Sequence, residues 1–348
     1  MNILNTCPFR LSNDKTRILW EITPKCNMKC KHCLFYSAND KQVMNEMSFA
    51  DVCKIIDNVA KDKTVSAIWL SGGEPLLRKD IIDICDRINK HSIIPSISTN
   101  GTLLTENLIG NLYNAGVRYI HLSIDGATEQ THDSLRGVSG AFSRLMNAIK
   151  MLNKSKIVIG ASFMVTNNSF NEIDDVLDIA LKSNFQTISF YVVANLGRAK
   201  SNFAADNNNL SAKLYNKLHS IQNDSYTKIE FFRANESENK DFILQDCKGY
   251  NFLNITHDGL LGACPWFMKS PNAFTTGSLL DNDFVTLSEL CKSRMKDFVN
   301  ERKQNIPHCK ENCENNSICG KGCPALSISS DSKFYMMDSV CNYVNGLE

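Results

Sequence analysis

The chain has 348 residues, 43% of them hydrophobic, and a net charge of +1. That length suits one large domain and a smaller one, and the balanced charge gives no electrostatic reason to expect nucleic acid or an anionic membrane as a partner. No apolar run is long enough to span a bilayer, and the first residues lack the layout of a signal peptide, so the sequence reads as cytoplasmic.

Fourteen cysteines are present, and in a long chain without a secretion signal they point to metal or redox chemistry rather than disulfides. They are unevenly placed. Cys26, Cys30 and Cys33 lie near the start; Cys247, Cys264, Cys309, Cys313, Cys319, Cys323 and Cys341 lie in the last hundred or so residues. Cys53 and Cys85 fall on apolar helical stripes and read as buried thiols, as does Cys291; Cys7 precedes the fold.

In chain order, the apolar run Ile18 to Ile22 reads as a strand that delivers the loop Cys26-x3-Cys30-x2-Cys33. Ser48 caps a helix with an apolar stripe of Phe49, Val52, Ile55, Ile56 and Val59. Val65 to Leu70 is a strand that ends in Ser71-Gly72-Gly73-Glu74-Pro75, and Ile81, Ile82, Cys85 and Ile88 mark a helix. Ile93 to Ser98 is a strand that ends in Thr99-Asn100-Gly101, followed by a helix from Thr105 to near Gly116. Arg118 to Ile124 is a strand that ends in Asp125-Gly126, and Phe142 to Leu152 carries a helical stripe. Ile157 to Val165 is the fifth strand. Ser169 with Glu172 reads as a capping box for a helix through Ala180, and Thr187 to Val193 is the sixth strand. Strands alternating with helices argue for a parallel sheet, and six units argue for a partial (β/α)6 barrel of the TIM type. In such barrels chemistry gathers at the carboxyl ends of strands, where the cysteine loop and the polar turns all fall.

An asparagine-rich stretch, 201–209, reads as a surface loop, and an amphipathic helix follows at Leu210 to Ile221. From Phe231 onward the regular pattern fades and cysteines cluster, so this segment is expected to depend on metal for its fold. As residue types alone, the first three cysteines fit either three irons of a four-iron cluster or three ligands of a zinc ion; the C-terminal set fits clusters or a structural zinc site.

The loop Cys26-x3-Cys30-x2-Cys33 and the turn Gly72-Gly73-Glu74-Pro75 resemble those of the radical S-adenosylmethionine (SAM) enzymes. So do Ser98-Thr99-Asn100-Gly101, Ser123-Ile124-Asp125-Gly126, His132 to Gly137 and Gly197-Arg198-Ala199. The C-terminal cysteines resemble the SPASM subgroup, with one departure: three residues, not two, separate Cys309 and Cys313. The resemblance covers about Arg17 to Cys341. It implies an N-terminal extension over 1–16, a radical SAM partial barrel over 17–200, a linker and helix over 201–230, and a SPASM domain over 231–348.

The resemblance also implies a set of roles. Cys26, Cys30 and Cys33 would hold a [4Fe-4S] cluster with one open iron. Gly72, Gly73 and Glu74 would receive the amino group of SAM. Asn100 belongs to the same set of turns. Ser123 and Asp125 would lie near the ribose, Arg136 near the carboxylate, and the backbone at Leu196 near adenine. Cys309, Cys313, Cys319 and Cys341 would hold one auxiliary [4Fe-4S] cluster, and Cys247, Cys264 and Cys323 a second, three clusters in all. The expected reaction is reductive cleavage of SAM to a 5′-deoxyadenosyl radical that takes hydrogen from a substrate. That substrate is expected to be a ribosomally made peptide or protein side chain, to be oxidised, crosslinked or epimerised. The rivals are decarboxylation of haem-type side chains, formylglycine formation in sulfatases, dehydrogenation of a small alcohol, and a non-catalytic iron–sulfur or zinc scaffold. An electron donor such as flavodoxin or ferredoxin is implied. Only about sixteen residues precede the first strand, so a leader peptide would be held by a separate protein or by the barrel itself.

Overall fold

The computed structural model describes residues 15–35, 46–193, 197–203, 210–221, 227–231, 234–236, 242–244, 252–265 and 275–305. Strands and helices alternate: β1 (Thr16–Thr23), α1 (Phe49–Val59), β2 (Val65–Gly72), α2 (Ile81–Lys90), β3 (Ile94–Thr99), α3 (Glu106–Asn114) and β4 (Tyr119–Ile124). Two helices follow, α4 (Glu129–Arg136) and α5 (Ala141–Leu152), then β5 (Val158–Val165), α6 (Ile173–Lys182) and β6 (Thr187–Val192). The chain continues through α7 (Ala199–Asn202), α8 (Leu210–His219), β7 (Lys228–Phe231) and a hairpin of β8 (Ala234–Glu236) and β9 (Phe242–Leu244). It ends, among the described residues, with β10 (Phe252–Ile255), β11 (Leu260–Gly262), β12 (Thr275–Ser278) and α9 (Phe284–Asn305).

The order in the large sheet is β12-β11-β10-β1-β2-β3-β4-β5-β6-β7. Strands from β10 to β7 are parallel, and β11 and β12 add antiparallel. Among the described residues no pairing joins β7 to β12, and the sheet they form is open. The six alternating strands expected from sequence are all present, but the sheet is wider. Arg17 to Trp20 of β1 pair with Phe252 to Ile255 of β10, so the C-terminal segment extends the same sheet as the barrel. That segment is also more regular than expected, because α9 runs for 22 residues and buries Phe284, Cys291 and Met295.

The helices form as their patterns require. Ser48 Oγ accepts the Asp51 N–H at 3.2 Å, and Val52, Ile55, Ile56 and Val59 are buried on one face of α1. Phe49, placed in that stripe by sequence, is instead 41% exposed in the first turn. Cys85 is buried as expected, whereas Cys53 is only half-buried at the edge of α1. The capping box at Ser169 does not form. Ser169 leads into a 3-10 turn, its Oγ lies 3.0 Å from Thr166 Oγ1, and α6 starts at Ile173, three residues later than a cap at Ser169 would place it. Glu172 reaches away instead: it accepts the Ala127 N–H at 2.6 Å and the Thr131 hydroxyl. Among the described residues, no helix is long and apolar enough to cross a membrane.

One continuous core fills the space between the sheet and its helices, with Ile18, Ile68, Ile97, Ile120, Ala161 and Ile188 contributed by β1 to β6 in turn. The other side of the sheet is different. Trp69 of β2 meets Tyr119 and His121 of β4 edge-on, with centroids at 5.7 and 5.2 Å, across the intervening β3. Trp69, Ser96 and Tyr119 share one register row, and the small Ser96 side chain leaves room for the two large rings to meet over it on this second, inner face.

Candidate functional site

The loop after β1 lies at the carboxyl rim of the sheet. Cys26, Cys30 and Cys33 share one small apolar cluster with Met28, Val138 and Ala141. Cys30 is buried; the other two are half-buried. Burial pushes the Cys26 thiol up to about 12 and raises Cys30 as well, with Arg136 opposing the shift at Cys30. Such thiols would ionise only when a cationic centre rewards the thiolate.

Four neighbouring strand ends clamp this loop by its backbone. From β2, the Gly73 N–H donates to Thr23 O and the Glu74 N–H to Lys25 O, both at 2.7 Å. The glycines are there for this approach: a Cβ at Gly73 would sit 2.0 Å from Lys25 O, and one at Gly72 (φ +110°) 2.5 Å from Thr23 O. From β3, Asn100 Nδ2 donates to Asn27 Oδ1 at 2.9 Å, and Asn27 Nδ2 donates to Thr102 Oγ1 at 3.0 Å. From α4, after β4, Leu135 O accepts the Lys31 N–H at 2.9 Å. Beyond β6, Arg198 Nε donates to Cys30 O at 2.8 Å, and its N–H donates to Cys33 O at 2.9 Å.

Two buried polar groups complete the rim. Glu74 accepts from Thr99 Oγ1 (2.8 Å), the Leu76 N–H (3.1 Å) and the Asn100 N–H (2.9 Å). Burial raises its pKa, and these three donors only partly offset the shift. Asp125 faces Arg136 Nε at 2.8 Å and His32 Nε2 at 3.2 Å, and accepts the Met164 N–H at 3.3 Å. Burial works against its charge, but the Arg136 guanidinium wins and holds Asp125 below the usual range. The Arg136 guanidinium also donates to Cys30 Sγ at 3.6 Å. The turn that carries it ends at Gly137, in the left-handed conformation that caps α4.

Of the residues singled out by sequence, Cys26, Cys30, Cys33, Gly72, Gly73, Glu74, Asn100, Asp125 and Arg136 are brought together by these contacts. Ser123 is half-buried on the inner face and pairs in register with Ser162. Cys264 is half-buried beyond β11, packed against the main core. Leu196, Cys247, Cys309, Cys313, Cys319, Cys323 and Cys341 lie outside the described residues. Sequence reasoning missed Asn27, His32 and Thr102 as parts of the site.

The donor set suits an iron–sulfur cluster. Among the described residues, no three His, Cys, Asp or Glu side chains converge on a single ion. The loop cysteines share a patch rather than a point, and a four-iron cluster asks each thiolate for a different iron. Beside the patch, His32 Nδ1 is buried and makes no hydrogen bond, so a polar group held at the rim would find a partner there.

Residues 20–180 match the family model of the radical SAM superfamily. These residues form a radical SAM domain. Fe-coproporphyrin III synthase of Methanosarcina barkeri is 31% identical over 190 residues, which cover 54% of this chain and 47% of that protein. Mycofactocin maturase MftC of Mycolicibacterium smegmatis is 28% identical over 166 residues, 47% of this chain and 41% of its own. The chain spans about half the length of the curated relatives it matches. Among solved structures, Streptococcus suis SuiB bound to S-adenosylmethionine superposes with a TM-score of 0.73 at 19% identity, over 94% of this chain and 77% of that one. The anSMEcpe structure with bound AdoMet gives 0.70 at 18% identity, over 94% and 95%. At such identities the likeness is one of fold. It reaches well past the radical SAM domain into the C-terminal segment.

Proposed function

We propose that this protein is a radical SAM enzyme that modifies a peptide or protein side chain. The observation that carries the reading is the clamped loop: three thiols in one buried patch at the carboxyl rim, fixed by four strand ends. Cys26, Cys30 and Cys33 would hold a [4Fe-4S] cluster. Bound there with SAM and reduced by one electron, the cluster supplies a 5′-deoxyadenosyl radical. The protein's own part is to position and to shield. Gly72 and Gly73 bring the β2 turn against the loop, where with Glu74 it would receive the amino group of SAM. Glu74 locks the β3 turn and Asn100 to it. Arg136 ties Asp125 to Cys30, so its role includes holding the ribose-side carboxylate and a cluster ligand in one frame. Ser123 and the backbone at Leu196 would contact the nucleoside.

The C-terminal segment, 231–348, would be a SPASM domain that follows a barrel over 17–200 and a bridging segment over 201–230. Cys309, Cys313, Cys319 and Cys341 would ligate one auxiliary cluster, and Cys247, Cys264 and Cys323 another. These clusters would carry electrons away from the oxidised substrate. A small electron-transfer protein such as flavodoxin or ferredoxin would feed the first cluster. A second reading, tetrapyrrole side-chain chemistry, is supported by relatives named Fe-coproporphyrin III synthase and AdoMet-dependent heme synthase.

The test is anaerobic reconstitution, with iron and sulfide counted and 5′-deoxyadenosine measured after dithionite and SAM. Formation of the nucleoside by the wild type, its loss in Cys30→Ala and its partial retention in Cys313→Ala are the expected results. An intact cluster that yields no nucleoside overturns the enzyme reading, and equal, full cleavage in both variants overturns the assignment of those cysteines to different clusters.

A further inference from the structure

The end of α4 is laid along the cysteine loop. Leu135 O accepts the Lys31 N–H at 2.9 Å, and Arg136 Nη1 donates to Cys30 Sγ at 3.6 Å. Gly137 packs on Lys29, where an added Cβ would come within 2.8 Å of the carbonyl oxygen. Consecutive residues of the helix end thus meet consecutive residues of the loop in reverse order. Gly137 can lie this close because it has no side chain and ends the helix in the left-handed conformation (φ +69°). Contacts on either side therefore fix Arg136 opposite Cys30.

This arrangement singles out one thiol of the three. Cys30 is the buried one, and Arg136 is 7% exposed. Arg198 Nε donates to the carbonyl of the same cysteine at 2.8 Å, so Cys30 is held at its backbone as well as at its sulfur. Asp125 supplies the counter-charge that a buried guanidinium needs. It sits 2.8 Å from Arg136 Nε as an ion pair out of hydrogen-bond line, whereas the Nη1 bond to sulfur is in line. At Cys30 the attraction of Arg136 outweighs the repulsion of Asp125.

A guanidinium keeps its proton at any working pH, so Arg136 is a fixed positive charge. A four-iron cluster on three thiolates is anionic and becomes more so when it takes up one electron. A fixed cation beside a ligand sulfur favours that reduced form, and a hydrogen bond to the sulfur acts in the same direction. The lysines of the loop are placed differently. The Lys25 side chain is 61% exposed, and Lys29 and Lys31 are exposed too, so water and salt screen them.

We propose that Arg136 tunes the cluster held by Cys26, Cys30 and Cys33, acting through the Cys30 sulfur to raise its reduction potential. The inference rests on the radical SAM reading above and adds to Arg136 a role beyond framing the site. One electron enters, from the small electron-transfer protein proposed above, and no proton moves: the guanidinium stays charged before and after.

The experiment is a redox titration of the reconstituted full chain without SAM, read by electron paramagnetic resonance. The signal present in the wild type and absent from Cys30→Ala belongs to the loop cluster. In Arg136→Gln the ratio of reduced to oxidised cluster at a fixed potential is expected to fall at least about tenfold, a midpoint lower by about 59 mV for one electron. Arg136→Lys keeps the charge but not the planar fork, and its midpoint is expected between those two. Asp125→Asn removes the counter-charge and is expected to raise the midpoint. Lys31→Gln removes an exposed charge next to Cys30 and is expected to shift it less than about half as far as Arg136→Gln. A smaller fall or a rise in Arg136→Gln, or a larger shift in Lys31→Gln, overturns the proposal. If Arg136→Gln takes up no iron, the other two site variants decide. A midpoint at or above the wild type in Arg136→Lys, or at or below it in Asp125→Asn, then overturns the proposal. Wild-type 5′-deoxyadenosine, measured separately with SAM and dithionite, distinguishes the two levels. Its absence sinks the radical SAM reading, whereas its presence alongside an unmoved Arg136→Gln midpoint sinks the tuning role alone.

Discussion

The two faces of β4 are built on opposite principles. Ile120, Leu122 and Ile124 point to the helices and join the continuous core, while Tyr119, His121 and Ser123 point inward. A parallel sheet covered on both sides reads as a near-continuous apolar run. Here the strands alternate, because the continuous apolar core lies on the helix side and the inner face holds only a small apolar cluster. Outer residues need the right volume and no polar atom. Inner residues need particular partners, such as Thr187 for Tyr119 and Glu21 for Asn254. The fold is held by the outer face, and the chemistry is aimed by the inner face and the rim above it.

The largest effect is expected where the rim is locked by backbone rather than by either face. Gly73→Ala puts a Cβ 2.0 Å from Lys25 O, and no side-chain movement can relieve that clash. The cysteine loop must shift by about an ångström, and loss of at least about 100-fold in 5′-deoxyadenosine formation is expected. Iron content after reconstitution checks the cause and should fall with activity. Retention of both would show that the rim tolerates a displaced loop. The comparison of faces itself is tested by a pair. Ile120→Ala on the outer side is expected to lose about 2–5 kcal/mol of stability in a denaturant titration. Ser98→Ala on the inner side is half-buried, leaves no cavity of note, and is expected to lose less than about 0.5 kcal/mol. Similar losses in both would mean that the inner face also carries the fold.

How much of this could be read from the sequence follows from the same division. Outer-face periodicity is local, so Val52, Ile55, Ile56 and Val59 announced α1, and the six alternating strands were all legible. α4 was not, because its buried residues are His132, Leu135 and Arg136, and only one of these is apolar. Its signals were Thr128, which caps it, and Gly137, which ends it. The parallel pairing of β10 with β1 joins segments more than 230 residues apart and leaves no local trace. At the site, the cysteine spacing was legible as metal chemistry. The partners of the loop were not, since Asn27 with Asn100 and Cys30 with Arg198 meet only once the strand ends are side by side. Glu172 misled for a related reason: a local capping box and a contact with Ala127 compete for one carboxyl group, and the distant contact prevails.

The last effect concerns His121 on the inner face and is read through pH. His121 is held neutral, with burial lowering its pKa from 6.5 to about 3. The unfolded chain therefore binds a proton at this position below about pH 6.5, while the folded chain does not until about pH 3. Stability from this group is full above the unfolded value and is lost as pH falls through that window. Between pH 7 and pH 5 the loss from His121 alone is about 2 kcal/mol. His132, lowered by burial to about 4, contributes in the same direction, so the comparison must be with a variant rather than with a flat line. In His121→Gln the slope of stability against pH over that range should be shallower by about that amount, whatever its stability at pH 7. An unchanged slope would show that the imidazole is already protonated or solvated in the folded chain, and the inner face would then be wetter than the burial of His121 implies.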